Sequence, residues 1–228
     1  MSTHALLLIW MLALSVNASA DSSAPIDGQV LEYGTRVPIA GAIVLAHWDA
    51  MKSLRNRIGL WICGHNETAV TDKSGHFHIP GWSEPPRSPG LTMFGDGYGL
   101  YVYKVGYGSD GQFAIGDDNM YSTQIDSAEY KSRVLTLFMK PYTRTRDDRF
   151  NYLHNPPSVN SLMKCSALGV SAKKALPFAK AVYEEASTIA KTPKEKRILE
   201  DSLFDIEGTE FGYDIARKRQ IERARGVQ

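Results

Sequence analysis

Between residues 26 and 140 the chain runs in short stretches of alternating apolar and polar positions, broken by glycine, proline and aspartate. Ile26-Asp27-Gly28-Gln29-Val30-Leu31 alternates around a glycine, and Tyr33-Gly34-Thr35-Arg36 reads as a turn. Ala42 to Trp48 is strongly β-forming, with Ile43, Leu45 and His47 on one side and Val44, Ala46 and Trp48 on the other. Apolar residues on both sides predict a central strand. Residues 49–60 carry Lys52, Arg55 and Arg57 and read as a polar loop, with strands resuming at Leu60–Cys63 and Glu67–Thr71. Thr71-Asp72-Lys73-Ser74-Gly75 then reads as a tight hairpin turn, because Asp and Ser can bond the local backbone and Gly accepts a positive φ. His76 and His78 follow on one face of a strand, with Phe77 and Ile79 on the other. The Pro- and Gly-rich stretch 80–99 predicts a long loop. Tyr101–Val105 and Arg133–Met139 are the remaining strands, the last stopped by Pro141. Seven or so short strands at this spacing predict a mainly β, seven-stranded antiparallel sandwich.

After Pro141 the pattern changes. Residues 141–166 read as a linker, since Thr143 to Arg149 is charged without period and Asn155-Pro156-Pro157 breaks regular structure. Two or three amphipathic helices are predicted within 167–228. From near Ser171, Phe178, Ala181, Val182, Ala186 and Ile189 share one helical face, with Pro177 suited to a first turn. Thr192-Pro193 is a helix start, and Glu195 completes a capping box with Thr192.

The opening segment changes the setting of this domain. Leu6 to Val16 is apolar but too short to cross a bilayer, which takes about 20 residues. Ala18-Ser19-Ala20 follows it, so residues 1–20 read as a secretory signal cleaved after Ala20. No later segment is apolar enough to span a membrane, which predicts an exported chain, periplasmic or secreted. In that oxidising setting the two cysteines, Cys63 and Cys165, are expected to form a disulfide tying the helical tail to the strands. The chain lacks CxxC, which gives little support to a redox or zinc role. Formal net charge is +1, with 26 basic and 25 acidic residues spread along the chain. Phosphate binding needs concentrated positive charge, so nucleic acid is not an expected partner.

Four pieces in this order resemble the carboxypeptidase regulatory-like domain, a transthyretin-like (prealbumin-type) β-sandwich: Ile26–Val30, Pro38–Val44, Thr71–Phe77 and Tyr103–Tyr107. The resemblance covers about residues 26–140 of an expected domain at 21–140, and leaves the tail outside it. It implies an exported, non-catalytic accessory module with no catalytic residues to carry over. One transthyretin-type enzyme, the hydroxyisourate hydrolase, ends in Tyr-Arg-Gly-Ser; this chain ends Ala224-Arg225-Gly226-Val227-Gln228.

The candidate chemistry is sparse. His76 and His78 are about 7 Å apart by strand geometry, close enough for two ligands of one metal. His47 and His65 could join them only if the sheet brings all four together. Two ligands are an incomplete zinc set, so the expectation is a solvent-facing polar strip with no resident metal or cofactor. No HExxH helix and no GxSxG elbow is present. Asp110, Asp117 and Asp118 match no EF-hand spacing and read as solvated turns. Tyr101, Tyr103, Tyr107 and Trp82 form the candidate binding surface, since aromatics on a sheet can stack on sugar rings or anchor a protein. The expected function is therefore non-enzymatic binding or scaffolding of a cell-envelope protein or glycan. The alternatives are a glycan-binding module and a metal-dependent hydrolase using His76 and His78.

Overall fold

The computed structural model describes residues 21–54, 57–84, 91–93, 98–108, 135–154 and 170–204. The expected signal at 1–20, Cys165, and the loop carrying Asp110, Asp117 and Asp118 lie outside them.

The chain is mainly β, with helices following the strands. Among the described residues the strands are β1 (Asp21–Ser23), β2 (Ile26–Glu32), β3 (Ile43–Leu54), β4 (Arg57–Val70), β5 (His76–Ile79), β6 (Trp82–Glu84), β7 (Leu91–Met93), β8 (Gly99–Tyr103), β9 (Tyr107–Gly108) and β10 (Leu135–Pro141). The helices are α1 (Arg146–His154), α2 (Val170–Ile189) and α3 (Pro193–Phe204). One sheet has the order β5-β2-β10-β9; in the other, β3 lies between β4 on one side and β7 and β8 on the other; β1 and β6 make a separate pair.

The alternation on β3 works as its sequence predicts. Val44, Ala46 and Trp48 enter a core shared with Ile26 and Val30 of β2, Phe77 and Ile79 of β5, and Leu135, Leu137 and Met139 of β10. Leu45, one residue out of phase, enters a second core with Tyr103, Phe150, Leu153, Phe178, Val182 and Leu199. The tail therefore docks on the back of the β3 sheet, leaving that sheet covered on both faces. Full burial of side chains of this size stabilises by about 1.5–3 kcal/mol each.

Several expectations are corrected. The strands are not all antiparallel: β10 runs parallel to β2, with Leu135 opposite Gly28 and Leu137 opposite Val30. The turn at Asp72–Gly75 is tight but closes no hairpin. It carries the chain from β4, paired with β3, to β5, paired with β2 in the other sheet. The polar loop expected at 49–60 is corrected: residues 49–54 prolong β3 and 57–60 begin β4, with Ala50 opposite Ile62 and Leu54 opposite Arg57, and the register shifts after Trp48 and again after Lys52. Backbone pairing there outweighs the unfavourable strand preference of the charged residues. Within 80–99, β6 pairs with β1 and β7 pairs with β3. The 141–166 stretch holds α1, capped at its start by Thr145: Asp148 N donates to Thr145 Oγ1 (3.2 Å), and Thr145 Oγ1 donates to Asp148 Oδ2 (2.8 Å).

Pro177 sits inside α2, not in its first turn. A proline ring displaces the carbonyls of the preceding turn and removes a ladder donor. The donor that Pro177 lacks would serve the Lys173 carbonyl; beside it, Thr68 of β4 donates its Oγ1 to the carbonyl oxygen of Lys174 at 2.5 Å. Further on, α3 starts as its sequence predicts: Glu195 N donates to Thr192 Oγ1 (3.2 Å), and Thr192 N donates to Glu195 Oε2 (2.8 Å).

Candidate functional site

Polar side chains concentrate in two places: the junction of helices and sheet, and the outer face of β5 and β2. At the junction Arg149 is almost fully buried. Its Nε and Nη2 donate to Glu185 Oε1 (2.8 Å) and Oε2 (2.7 Å), and its Nη1 donates to the Tyr107 carbonyl (2.6 Å). Its guanidinium also lies over the rings of Tyr142 and Tyr152. Tyr103 Oη donates to Glu185 Oε2 at 2.6 Å. Burial, then the hydrogen bond to Glu185, pushes the Tyr103 phenol far above its ordinary value. A second clamp joins the helices: Arg146 donates to Glu195 through Nη1 and Nη2 (2.5 Å each) and to the Ile189 carbonyl through Nε and Nη2. The charged run 143–149 hides both arginines in sequence. The Thr145-x-x-Asp148 cap was the local signal for their helix.

The four predicted aromatic residues do not make one exposed face. Tyr101 and Tyr103 share a side of β8 as expected, but that side lies under α2, with Tyr103 buried and Tyr101 half-buried. Trp82 is buried in the core between the sheets, stacked on His65 at 4.0 Å and edge-on to Trp48 at 5.4 Å. Tyr107 is half-buried and donates its hydroxyl to Glu32 Oε2 (3.0 Å). These rings are consumed by the two cores because both faces of the β3 sheet are covered, so they form no sugar-stacking platform.

The four histidines separate into two buried and two exposed. His47 Nδ1 lies 2.7 Å from Asn66 Oδ1, and its Nε2 lies 3.1 Å from Asp49 Oδ1. His65 Nε2 lies 2.8 Å from Glu67 Oε1, an oxygen that also accepts from Lys174 Nζ. His76 and His78 face outward on β5, opposite Gln29 and Asp27 of β2. Among the described residues, no group of three or more His, Cys, Asp or Glu side chains is placed to hold a metal ion. The backbone of Cys63 pairs with Asp49 on β3, while Cys165, its expected partner, lies outside the described residues.

The His76 neighbourhood is built by its turn. Asp72 Oδ1 accepts from Ser74 N (2.8 Å), Ser74 Oγ (2.7 Å) and His76 N (2.9 Å). The bonds from the Ser74 hydroxyl and the His76 backbone hold the Asp72 carboxyl below its ordinary value. Gly75 has φ +76°, and a Cβ there would lie 2.5 Å from the Val30 carbonyl oxygen.

No family model matches the chain, and no curated protein matches it. Among solved structures, a 9R-lipoxygenase from Cyanothece PCC8801 is similar over 75% of this chain at 15% identity, with a TM-score of 0.21. The match spans 25% of that protein's length. A likeness this low carries no argument about fold or activity. Among the described residues no helix is long and apolar enough to cross a membrane.

Proposed function

We propose that the chain is an exported, non-enzymatic scaffold or binding module of the cell envelope. In this reading its core is a prealbumin-like sandwich of carboxypeptidase regulatory-like type, formed by the seven strands β2, β3, β4, β5, β8, β9 and β10. Strands β1, β6 and β7 are additions, and the helices are a built-in third layer. The observation that carries the reading is where the buried polar groups are used. His47, Asn66, Thr71 and Arg149 each bond a different segment of the fold, and Glu67, which meets His65, also reaches Lys174 on α2. Groups spent on joining elements make a rigid platform. With α2 covering one sheet, the face left to a partner is that of β5 and β2, where Asp27, His76 and His78 are exposed. An envelope protein fits that polar face better than a glycan, because the stacking aromatics lie inside.

Two measurements test this. The full chain, expressed in a cell with an intact export pathway, should be recovered outside the cytoplasm with Asp21 as its first residue and with no thiol titratable before reduction. Retention in the cytoplasm at full length would sink the export reading. The purified protein should hydrolyse no peptide, ester or ureide; an activity abolished by one substitution would overturn the non-enzymatic reading.

A further inference from the structure

We infer that His76 and His78 form a surface site for a borderline divalent transition metal, copper(II) by preference, bound through Nε2 of both imidazoles. The inference goes beyond the scaffold reading and does not depend on it.

The two side chains leave the same face of β5, since Phe77 between them is buried and both histidines are exposed. Two residues along a strand separate them by about 7 Å, a span that one metal with Zn–N bonds of about 2.0–2.1 Å can bridge. The decisive feature is the hydrogen bonding of each ring. His78 Nδ1 lies 2.7 Å from Asp27 Oδ1. An ionised carboxylate only accepts, so Nδ1 carries the proton and Nε2 the lone pair. His76 Nδ1 lies 2.8 Å from Ser74 Oγ, whose single proton points to Asp72 Oδ1 at 2.7 Å. The serine oxygen therefore accepts from His76, and the same tautomer follows. Two independent carboxylates, one direct and one through a hydroxyl, thus set both rings with Nε2 ready to ligate. No hydrogen bond among the described residues occupies either Nε2.

This is the carboxylate–histidine arrangement by which outer groups orient metal ligands and raise their basicity. No third protein ligand stands within reach among the described residues, so water completes the coordination and the site stays open. An exposed pair of imidazoles imposes little geometry, and the intrinsic order of divalent ions then places copper(II) ahead of zinc(II).

The test is titration of the full-length protein with copper(II) chloride at neutral pH by calorimetry, with electron paramagnetic resonance at one equivalent. The expected result is one equivalent bound through two imidazole nitrogens, and tighter binding than for zinc chloride. His76→Gln and His78→Gln should each remove that equivalent, and Asp27→Asn should weaken it by about 10–100-fold. All three positions are exposed, so thermal unfolding should stay unchanged and separate lost binding from lost fold. His4 and both cysteines remain in every variant and contribute equally to each curve. A double glutamine variant that binds as much copper(II) as the wild type, a wild-type spectrum without imidazole nitrogen, or an Asp27→Asn affinity equal to wild type would overturn the assignment.

Discussion

Arg149 of α1 and Glu185 of α2 meet in a two-pronged ion pair, with Nε 2.8 Å from Oε1 and Nη2 2.7 Å from Oε2, and their side chains are only 6% and 12% exposed. With Tyr103 donating to the same carboxylate, the pair ties both helices to β8. Breaking a buried pair from one side leaves an uncompensated charge, at a cost of about 3–5 kcal/mol. Glu185→Ala and Arg149→Ala should each destabilise by that order in urea unfolding. Replacing both by methionine should cost clearly less than the sum of the two single changes. Tyr103→Phe, which removes one bond to a charged group, should cost about 1.5–3 kcal/mol. Additive single and double costs would show that the pair does not act as a unit.

The acid limb of stability should carry the signature of two carboxylates. Glu195 is held far below its ordinary value of 4.5, first by hydrogen bonds from Arg146 and then by the Thr192 backbone. Asp72 is lowered from 3.8, first by the Ser74 hydroxyl and then by the His76 backbone. A carboxyl more acidic in the folded than in the unfolded chain stabilises above its unfolded value, and that stability is lost as pH falls through the folded one. The melting temperature should therefore drop as pH decreases below 4.5, with a further loss below 3.8. Glu195→Gln should flatten the decline from 4.5 downward, and Asp72→Asn the part of it below 3.8. A wild-type curve matched by both variants from pH 6 to 3 would contradict this.

Two glycines with nearly equal φ separate conformational strain from steric exclusion. Gly75 (φ +76°) and Gly106 (φ +77°) are both left-handed, which costs an L-residue about 1–2 kcal/mol. Around Gly106 a Cβ would meet nothing within 4 Å, so Gly106→Ala should cost only that amount. At Gly75 the added carbon would strike the backbone of Val30 and force the turn away from β2, so Gly75→Ala should cost distinctly more in the same urea series. Equal losses would mean that the turn relaxes freely.

These comparisons show which parts of the fold were legible in sequence. Local chemistry was readable: the two-faced alternation of β3, the Asp72–Gly75 turn and the Thr192–Glu195 box each depend on neighbours within a few residues. Pairings between distant segments were not. The parallel match of Leu135 with Gly28 joins segments more than a hundred residues apart, and nothing within either strand specifies its direction. Charge also misled. Residues 49–60 and 143–149 looked unstructured because they are polar, yet 49–54 and 57–60 complete a strand pair and 146–149 open a helix whose Arg149 is buried. Tyr101 and Tyr103 were placed on the correct strand and on one shared face, whereas Trp82 and Tyr107, read as loop and turn, lie on β6 and β9. What covers that shared face depends on where α2 docks, which its own amphipathic pattern does not tell. Similarly, HxH gave the spacing of two histidines, while the carboxylates behind them come from β2 and from the preceding turn.

Pro177 and Thr68 should prove energetically coupled. A proline inside a helix costs about 3 kcal/mol relative to alanine, because it lacks an N–H and crowds the carbonyls of the turn before it. Thr68 Oγ1 reaches the Lys174 carbonyl in that turn, so part of the cost is offset from the sheet. Thr68→Val keeps the shape and removes the donor, and should cost about 0.5–1.5 kcal/mol, the usual net worth of one such bond. Pro177→Ala should stabilise α2 by restoring an N–H donor to the Lys173 carbonyl four residues back and by relieving the ring's crowding of that turn, which leaves the neighbouring Lys174 carbonyl to its own ladder donor, Phe178 N–H. In the Pro177→Ala background, therefore, Thr68→Val should cost markedly less than in the wild type. The four proteins of this double-mutant cycle, compared by urea unfolding, measure the difference directly. An equal cost of Thr68→Val in both backgrounds would mean that the hydroxyl serves the docking of α2 without compensating for the proline.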